Sequence, residues 1–221
     1  MKENYNNKLK AFYYLVLTTL HLYMNNYLRT TFPNVPTMER FLYLTNISFN
    51  LNWFYYTIRF FKETPIFNLL PLILEEKSLK KLLRFNFALS FVVVLLYWIM
   101  KLSNPKLLFS NPKDIIPLDL DIFLHGANLA FNILEHLVIK PEYKYENSYK
   151  YFFIFLVFYS SLLKIAQIGF GVNSYAFVFE KGIMFYLAVV SAAMMLMILG
   201  DFLFKGIKIL NGKRFKLKES K

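Results

Sequence analysis

The chain has 221 residues, of which 57% are hydrophobic and 19% aromatic, and its formal net charge is +12. A soluble domain of this length cannot bury that much apolar surface, because many of its apolar runs have no polar face. Lipid is therefore the predicted solvent for much of the chain. The charge does not indicate a nucleic-acid partner, since the basic residues lie between apolar segments rather than on one surface. Cysteine is absent, which excludes disulfides, thiolate catalysis and zinc–thiolate sites.

Six segments are long and apolar enough to cross a bilayer as helices, which takes about 17–25 residues each. They cover about 10–28, 41–61, 84–101, 120–139, 151–168 and 182–206. The first has no small-residue cleavage site after it, so we expect it to stay as a membrane anchor. The second is the weakest, because four polar residues interrupt it: Asn46, Ser48, Asn50 and Asn52. The predicted fold is all-α, a polytopic six-transmembrane-helix bundle forming one membrane domain over residues 1–206.

The basic residues orient this bundle. With six spans, 19 of the 26 Lys and Arg residues fall on the side that holds both termini, and 6 fall on the opposite side. Cytosolic loops carry such an excess, so both termini are predicted to be cytosolic. The basic tail, residues 207–221, is then either a solvated cytosolic segment or one that lies on anionic lipid.

The fourth span carries a stripe of polar residues. At 100° per residue, four of them share one helical face: His125, Asn128, Asn132 and Glu135. Such a stripe is predicted to line the bundle interior, because a carboxylate facing lipid costs about 2.5–3.5 kcal/mol. For Glu135 a structural pairing with Lys164 or His136 is the alternative to a functional role. Asp119 and Asp121 suit the start of this helix, where a carboxylate accepts free backbone N–H groups.

The second span presents Thr45 and Asn52 on one face. Thr45 and His125 both lie about 6–8 Å inside their spans, so a hydroxyl and an imidazole at matched depth can meet if the helices are adjacent. His21 in the first span is a spare candidate base. Asp201, near the cytosolic end of the sixth span, is either a site residue or the partner of Lys205.

Signatures of soluble enzymes are missing, including the nucleophile-elbow, zincin, P-loop and dinucleotide motifs. With three His and no Cys, no metal site and no cofactor are predicted.

Three motifs resemble those of the androgen-induced membrane hydrolases, a family of FAR-17a-like multi-pass proteins that includes the androgen-dependent regulator of tissue-factor pathway inhibitor. In that family an Ile-Pro precedes an essential His by eight residues, and an acidic residue follows ten later; Ile116-Pro117, His125 and Glu135 keep both spacings. The segment Phe41–Thr45, with Asn52 in place of a Gln, resembles the start of the second helix. Leu199-Gly200-Asp201 resembles a Leu-Gly-Glu near the end of the last helix. The family's Asn-His before the essential His is absent, but this register, unlike one that puts Asn128 at the essential position, keeps Ile116-Pro117 and Glu135.

The resemblance implies an integral-membrane lipid ester hydrolase with Thr45 as nucleophile and His125 as base. It further implies fatty acid esters of hydroxy fatty acids as substrates, and the endoplasmic reticulum as the membrane. A Thr hydroxyl needs such a base to become nucleophilic. Glu135 lies about 15 Å along the helix from His125, too far to orient the imidazole, and no third catalytic residue is identified. The alternatives are a non-catalytic scaffold and a transporter whose polar stripe binds lipid or solute.

Overall fold

The structure is a computed structural model, and it describes residues 2–33, 42–64, 75–103, 116–138, 149–171 and 182–219. The helices in chain order are α1 (Lys2–Thr31), α2 (Leu44–Glu63), α3 (Glu76–Ser103), α4 (Leu118–Ile122), a π-helical turn (Phe123–Ala127), α5 (Asn128–Val138), α6 (Tyr149–Phe170) and α7 (Ile183–Glu219). Each predicted span overlaps one helix, or in the fourth case the continuous run from α4 through the π turn to α5. The predicted all-α fold is confirmed.

Three helices in the described ranges are long and apolar enough to cross a membrane: Glu76–Ser103, Tyr149–Phe170 and Ile183–Ile207. Their length and composition are those of a membrane protein. The remaining helices carry more polar residues, so the count of six spans stays a prediction, as does the cytosolic side of both termini.

The polar residues that weaken the second span do not interrupt α2. The side-chain amide of Asn50 donates to the carbonyl of Asn46 at 2.7 Å, and that of Asn52 donates to the carbonyl of Ser48 at 2.8 Å. Each amide therefore finds an acceptor one turn back on its own helix, which lowers the cost of placing it among apolar neighbours.

Helix α3 is the central helix of the bundle. Within its most apolar stretch 56% of the residues are buried inside the protein, against 17% for α7. It packs along α7 and also touches α2, the π turn and α5. The approach to α7 is close at Gly200, where an added Cβ would lie 3.2 Å from the Cα of Ala88. Small residues at a crossing allow two membrane helices to approach in this way.

The start of α2 lies beside the π turn. Phe49 of α2 packs in one buried cluster with Leu120 and Leu124, and its ring centroid is 5.9 Å from that of Phe123. Further along α2, Tyr55 hydrogen-bonds to Glu135 of α5. These contacts follow the same order on both helices, so α2 and the α4–α5 run are parallel neighbours.

Helix α7 continues without a break to Glu219. The boundary drawn at residue 206 therefore does not coincide with the end of a helix, and the described part of the predicted basic tail is the continuation of α7.

Candidate functional site

His125 lies in the middle of the π-helical turn, Phe123–Ala127, and its side chain is buried. The flanking residues Ile122 and Asn128 have ordinary right-handed helical dihedral angles, so the wider turn is inserted into an otherwise regular helix. Such single turns are rare and often mark functional sites. The turn also changes the direction of His125 relative to residues further along α5, which a uniform 100° spacing does not anticipate.

Asp121 holds the imidazole of His125. Nδ1 of His125 lies 2.8 Å from Oδ1 of Asp121, one turn earlier in the chain. The other carboxylate oxygen, Oδ2, pairs with Nζ of Lys101 at the end of α3. The expectation that Asp121 accepts backbone N–H groups at the start of this helix is wrong, because no such bond to its carboxylate is found among the described residues. Its carboxylate is used instead by one base and one cation.

Two aromatic residues of α3 fix the ring further. Tyr97 stacks on His125 with ring centroids 3.3 Å apart and planes within 3° of each other. Trp98 donates from Nε1 to the backbone carbonyl of His125 at 3.2 Å. The hydrogen bonds of the His125 ring all use Nδ1, so Nε2 has no hydrogen-bond partner among the described residues.

The direction of Thr45 follows from its neighbours one turn further along α2. Ser48 contacts Ser90 of α3 at 3.1 Å, whereas Phe49 packs on Phe123 of the π turn. At 100° per residue, Thr45 lies about 40° from Phe49 on one side and about 60° from Ser48 on the other. The half-buried Thr45 side chain therefore faces the space between α3 and the π turn.

Thr45 and His125 lie toward the same end of the bundle, but their depths differ by about 5 Å at 1.5 Å per residue, and no hydrogen bond joins them among the described residues. Ser90 hydrogen-bonds to both Ser48 of α2 and Asn132 of α5, which marks one level of the bundle. Counted from that level at 1.5 Å per residue, Thr45 lies about 5 Å and His125 about 10 Å toward the same end. The helices are neighbours and the two groups lie on the same side of this level.

The side-chain amides of Asn52 and Asn132, which were predicted to lie beside Thr45 and in the polar stripe, join helices to one another. Asn132 donates to Ser90 at 3.1 Å and accepts from the Tyr56 hydroxyl at 3.3 Å. Asn52 donates to the same serine oxygen at 3.2 Å. All of these side chains are buried, including that of Tyr56. They tie α2, α3 and α5 together and do not reach His125.

His21 does not offer a free nitrogen. Its Nδ1 lies 2.8 Å from the backbone carbonyl of Leu17, and its Nε2 lies 3.0 Å from the side-chain amide of Asn128. The ring is buried and ties α1 to α5. His21, the spare candidate base, is therefore hydrogen-bonded to Asn128 of the polar stripe.

Glu135 is completely buried and is bound by two tyrosines rather than by a cation. Its Oε1 accepts from the hydroxyl of Tyr14 at 2.5 Å and from that of Tyr55 at 2.9 Å. The pairing with Lys164, one alternative considered for Glu135, is not present, because Lys164 is exposed on α6 and donates to Gln167 at 2.9 Å. The Tyr55 hydroxyl also accepts from Arg59, which links Glu135 to the far end of α2.

Asp201 lies away from His125, toward the first turns of α3. It is fully buried and pairs with Arg84 of α3 as well as with Lys205, one turn later at 3.0 Å. The Lys205 pairing is one of the two roles that the sequence predicts for Asp201. The sequence does not indicate Arg84 as a partner. Among the described residues, no group of three or more His, Asp or Glu side chains is placed to hold a metal ion.

Sequence reasoning missed Asp121 and Lys101 as site residues. The spacing of Asp121 and His125, four residues apart on one helix, was a signal that was available. Lys101 gave no comparable signal, because its contact with Asp121 joins two helices.

A family model described as FAR-17a/AIG1-like protein matches residues 9–208. The chain belongs to this family. The matched range contains all three motifs of the resemblance, and that resemblance is confirmed. No curated protein and no solved structure gave a match to this FAR-17a/AIG1-like chain.

Proposed function

We propose that this FAR-17a/AIG1-like protein is an integral-membrane hydrolase of lipid esters. Thr45 acts as the nucleophile, His125 as the general base, and fatty acid esters of hydroxy fatty acids are the substrate class. Its membrane is the endoplasmic reticulum, with both termini in the cytosol. Membership of the family supports this proposal, and the surroundings of His125 supply the chemical argument.

The observation that carries the proposal is the state of the His125 ring. Its Nδ1 is engaged by Asp121, while Nε2 has no hydrogen-bond partner in the described ranges. An imidazole held by one nitrogen and open at the other is the arrangement that general-base catalysis requires. Stacking on Tyr97 limits rotation of the ring and so preserves the direction of Nε2.

The reaction then proceeds in two steps. Nε2 of His125 takes the proton of the Thr45 hydroxyl as Oγ1 attacks the ester carbonyl carbon. The tetrahedral intermediate collapses, the ester C–O bond breaks, and the imidazolium returns its proton to the departing alkoxide. Water, deprotonated by the same nitrogen, attacks the acyl-threonine and releases the fatty acid and free Thr45.

The position of Thr45 suits such an intermediate. It is the second residue of α2, so its backbone N–H has no acceptor within the helix and can donate to a developing oxyanion. The neighbouring wall is apolar, being formed by Phe49, Leu120 and Phe123. An acyl chain fits this surface better than a polar substrate does.

One observation favours the scaffold alternative for part of the stripe. Asn128, Asn132 and Glu135 each bond to a neighbouring helix, which is the role that polar residues in membrane bundles commonly have. We therefore assign these three residues to helix association and restrict the reaction to Thr45 and His125.

The test is hydrolysis of such an ester by purified protein in lipid nanodiscs. Thr45→Val keeps the shape but removes the hydroxyl, and His125→Asn removes the base. We expect each to lower kcat by at least about 100-fold, the usual contribution of a positioned base or activated nucleophile. A fluorophosphonate probe is expected to label the wild type and not Thr45→Val.

Thr45→Ser retains the hydroxyl and is expected to keep measurable activity. Thr57→Val is the matched control on the same helix, because the Thr57 hydroxyl only donates back to the carbonyl of Trp53. Full activity in Thr45→Val or in His125→Asn removes the assignment. Lipid or solute flux in liposomes that Thr45→Val leaves unchanged, without hydrolysis, supports the transporter alternative instead.

A further inference from the structure

We propose that Asp121, whose carboxylate is anchored by Lys101, is a positioning residue that holds His125 in the Nδ1–H tautomer and so keeps Nε2 free to accept a proton. The catalytic consequence rests on the proposed function. The tautomer itself does not, and it can be measured without a substrate.

The carboxylate of Asp121 has a different partner on each oxygen. Oδ1 is 2.8 Å from Nδ1 of His125, and Oδ2 is paired with Nζ of Lys101. The carboxylate is buried, whereas the Lys101 side chain is 31% exposed, so the cation enters from the edge of the bundle. Nζ of Lys101 also lies 4.9 Å from the ring centroid of Trp98, the residue that binds the His125 carbonyl.

The donor and acceptor rules fix the proton. A carboxylate accepts hydrogen bonds on both oxygens, and an ammonium group only donates. Nδ1 of a neutral His125 must therefore donate to Oδ1 of Asp121, which leaves the lone pair on Nε2. The ion pair with Lys101 also keeps the Asp121 carboxylate from rotating away from the His125 ring.

The same rules predict an unusual behaviour for Asp121→Asn. The amide has one oxygen and one NH₂ group, and Lys101 can bind only the oxygen. The NH₂ group is then turned toward Nδ1 of His125, which must accept. The imidazole proton moves to Nε2, and the base is blocked although the shape of the site is retained.

Removal of the Lys101 ammonium group is expected to return the His125 proton to Nδ1. In the double variant Asp121→Asn with Lys101→Met, the ammonium group that holds the amide oxygen is gone. The amide is free to turn its oxygen toward Nδ1 of His125, and the Nδ1–H tautomer returns. If the Lys101–Asp121 ion pair only joins α3 to α4, the opposite result is expected. The double variant then lacks both members of the pair and recovers no activity relative to either single variant.

The experiment uses the full chain in detergent micelles or nanodiscs with ¹⁵N-labelled histidine. The chain has only three histidines, so three imidazoles are observed and the His125 signals are identified by their loss in His125→Asn. Imidazole ¹⁵N shifts are recorded at a pH where the rings are neutral, for the wild type, Lys101→Met, Asp121→Asn and the double variant. Hydrolysis is measured in parallel on the same samples.

We expect the Nδ1–H tautomer in the wild type, in Lys101→Met and in the double variant, and the Nε2–H tautomer in Asp121→Asn. Asp121→Asn is expected to lower kcat by about 10²–10⁴-fold with KM changed little, and the double variant to recover at least about tenfold. Asp201→Asn is the matched control, a buried carboxylate held by cations elsewhere, and is expected to leave the His125 shifts unchanged.

An Nε2–H tautomer in the wild type overturns the inference, and so does a double variant that keeps the tautomer of Asp121→Asn. If Asp121→Asn does not fold, the wild-type and Lys101→Met spectra still decide whether Nδ1 carries the proton. Absence of any ester hydrolysis by the wild type contradicts the proposed function instead, and leaves the tautomer series as an independent result.

Discussion

Three acidic side chains are buried in the described part of the chain, and each is stabilised in a different way. Asp121 has a base on one oxygen and a cation on the other, and Asp201 has two cations. Glu135 has two tyrosine hydroxyls on Oε1, while its Oε2 has no hydrogen-bond partner. Burial was predicted for Glu135 alone, because Asp121 was expected at a helix start and Asp201 near the end of its span. The partners from the same helix, Lys205 and His125, are indicated by their spacing, whereas Lys101, Arg84 and Tyr14 were not predictable because they come from other helices.

Glu135 gives a prediction for a single residue. Glu135→Ala leaves the buried hydroxyls of Tyr14 and Tyr55 without their acceptor, and an unsatisfied buried donor costs about 1–3 kcal/mol. Glu135→Gln keeps an acceptor oxygen and is expected to lose less than half as much. The measurement is the thermal unfolding midpoint of the purified protein in detergent. If both substitutions lower the midpoint equally, the negative charge of Glu135 stabilises the protein through its attraction to Arg59. Its role as acceptor for the tyrosine hydroxyls then contributes little.

At the level of the helices, hydropathy was sufficient to locate the elements but not their irregularities. Six apolar segments predicted six helical regions, and in α2 the asparagines bond back to carbonyls of their own helix. The π turn at His125 was not predicted, since the helical faces were assigned with a uniform spacing of 100° per residue. Its geometry depends on contacts from outside the helix, including the Tyr97 stack and the Trp98 hydrogen bond.

The crossing of α3 and α7 gives a prediction for a pair of helices. A side chain at Gly200 would meet the Cα of Ala88 and the ring of Phe91, both at 3.2 Å. Gly200→Val is expected to destabilise the protein by about 1–3 kcal/mol, the usual cost of overpacking. Gly206→Val is the control on the same helix, because nothing lies within 4 Å of a Cβ there. Equal unfolding midpoints for the two variants contradict a close contact at Gly200.

For the whole molecule, ion pairs lie toward both ends of the central helix. Glu76 in the first turn of α3 binds Arg59 at 2.9 Å, and Lys101 in its last turn binds Asp121. Between them runs the apolar stretch that meets the length and composition of a membrane span. Charges are stabilised more readily near the edges of a bilayer than at its centre, so this distribution fits a helix that crosses the membrane completely.

The natural absence of cysteine allows a clean test of the topology. Single cysteines are introduced at four exposed positions, two near the predicted cytosolic ends and two near the opposite ends: Lys8, Glu75, Pro33 and Ser103. In sealed microsomes with the cytosolic face outward, a membrane-impermeant maleimide is expected to label the cysteines at 8 and 75 at once. Those at 33 and 103 are expected to react only after permeabilisation, because α1 and α3 each separate a basic-rich side from a basic-poor one. Labelling of 75 and 103 from the same side contradicts a crossing by α3. Labelling of 8 and 33 from the same side removes the first predicted span, and with it the location of both termini on one face.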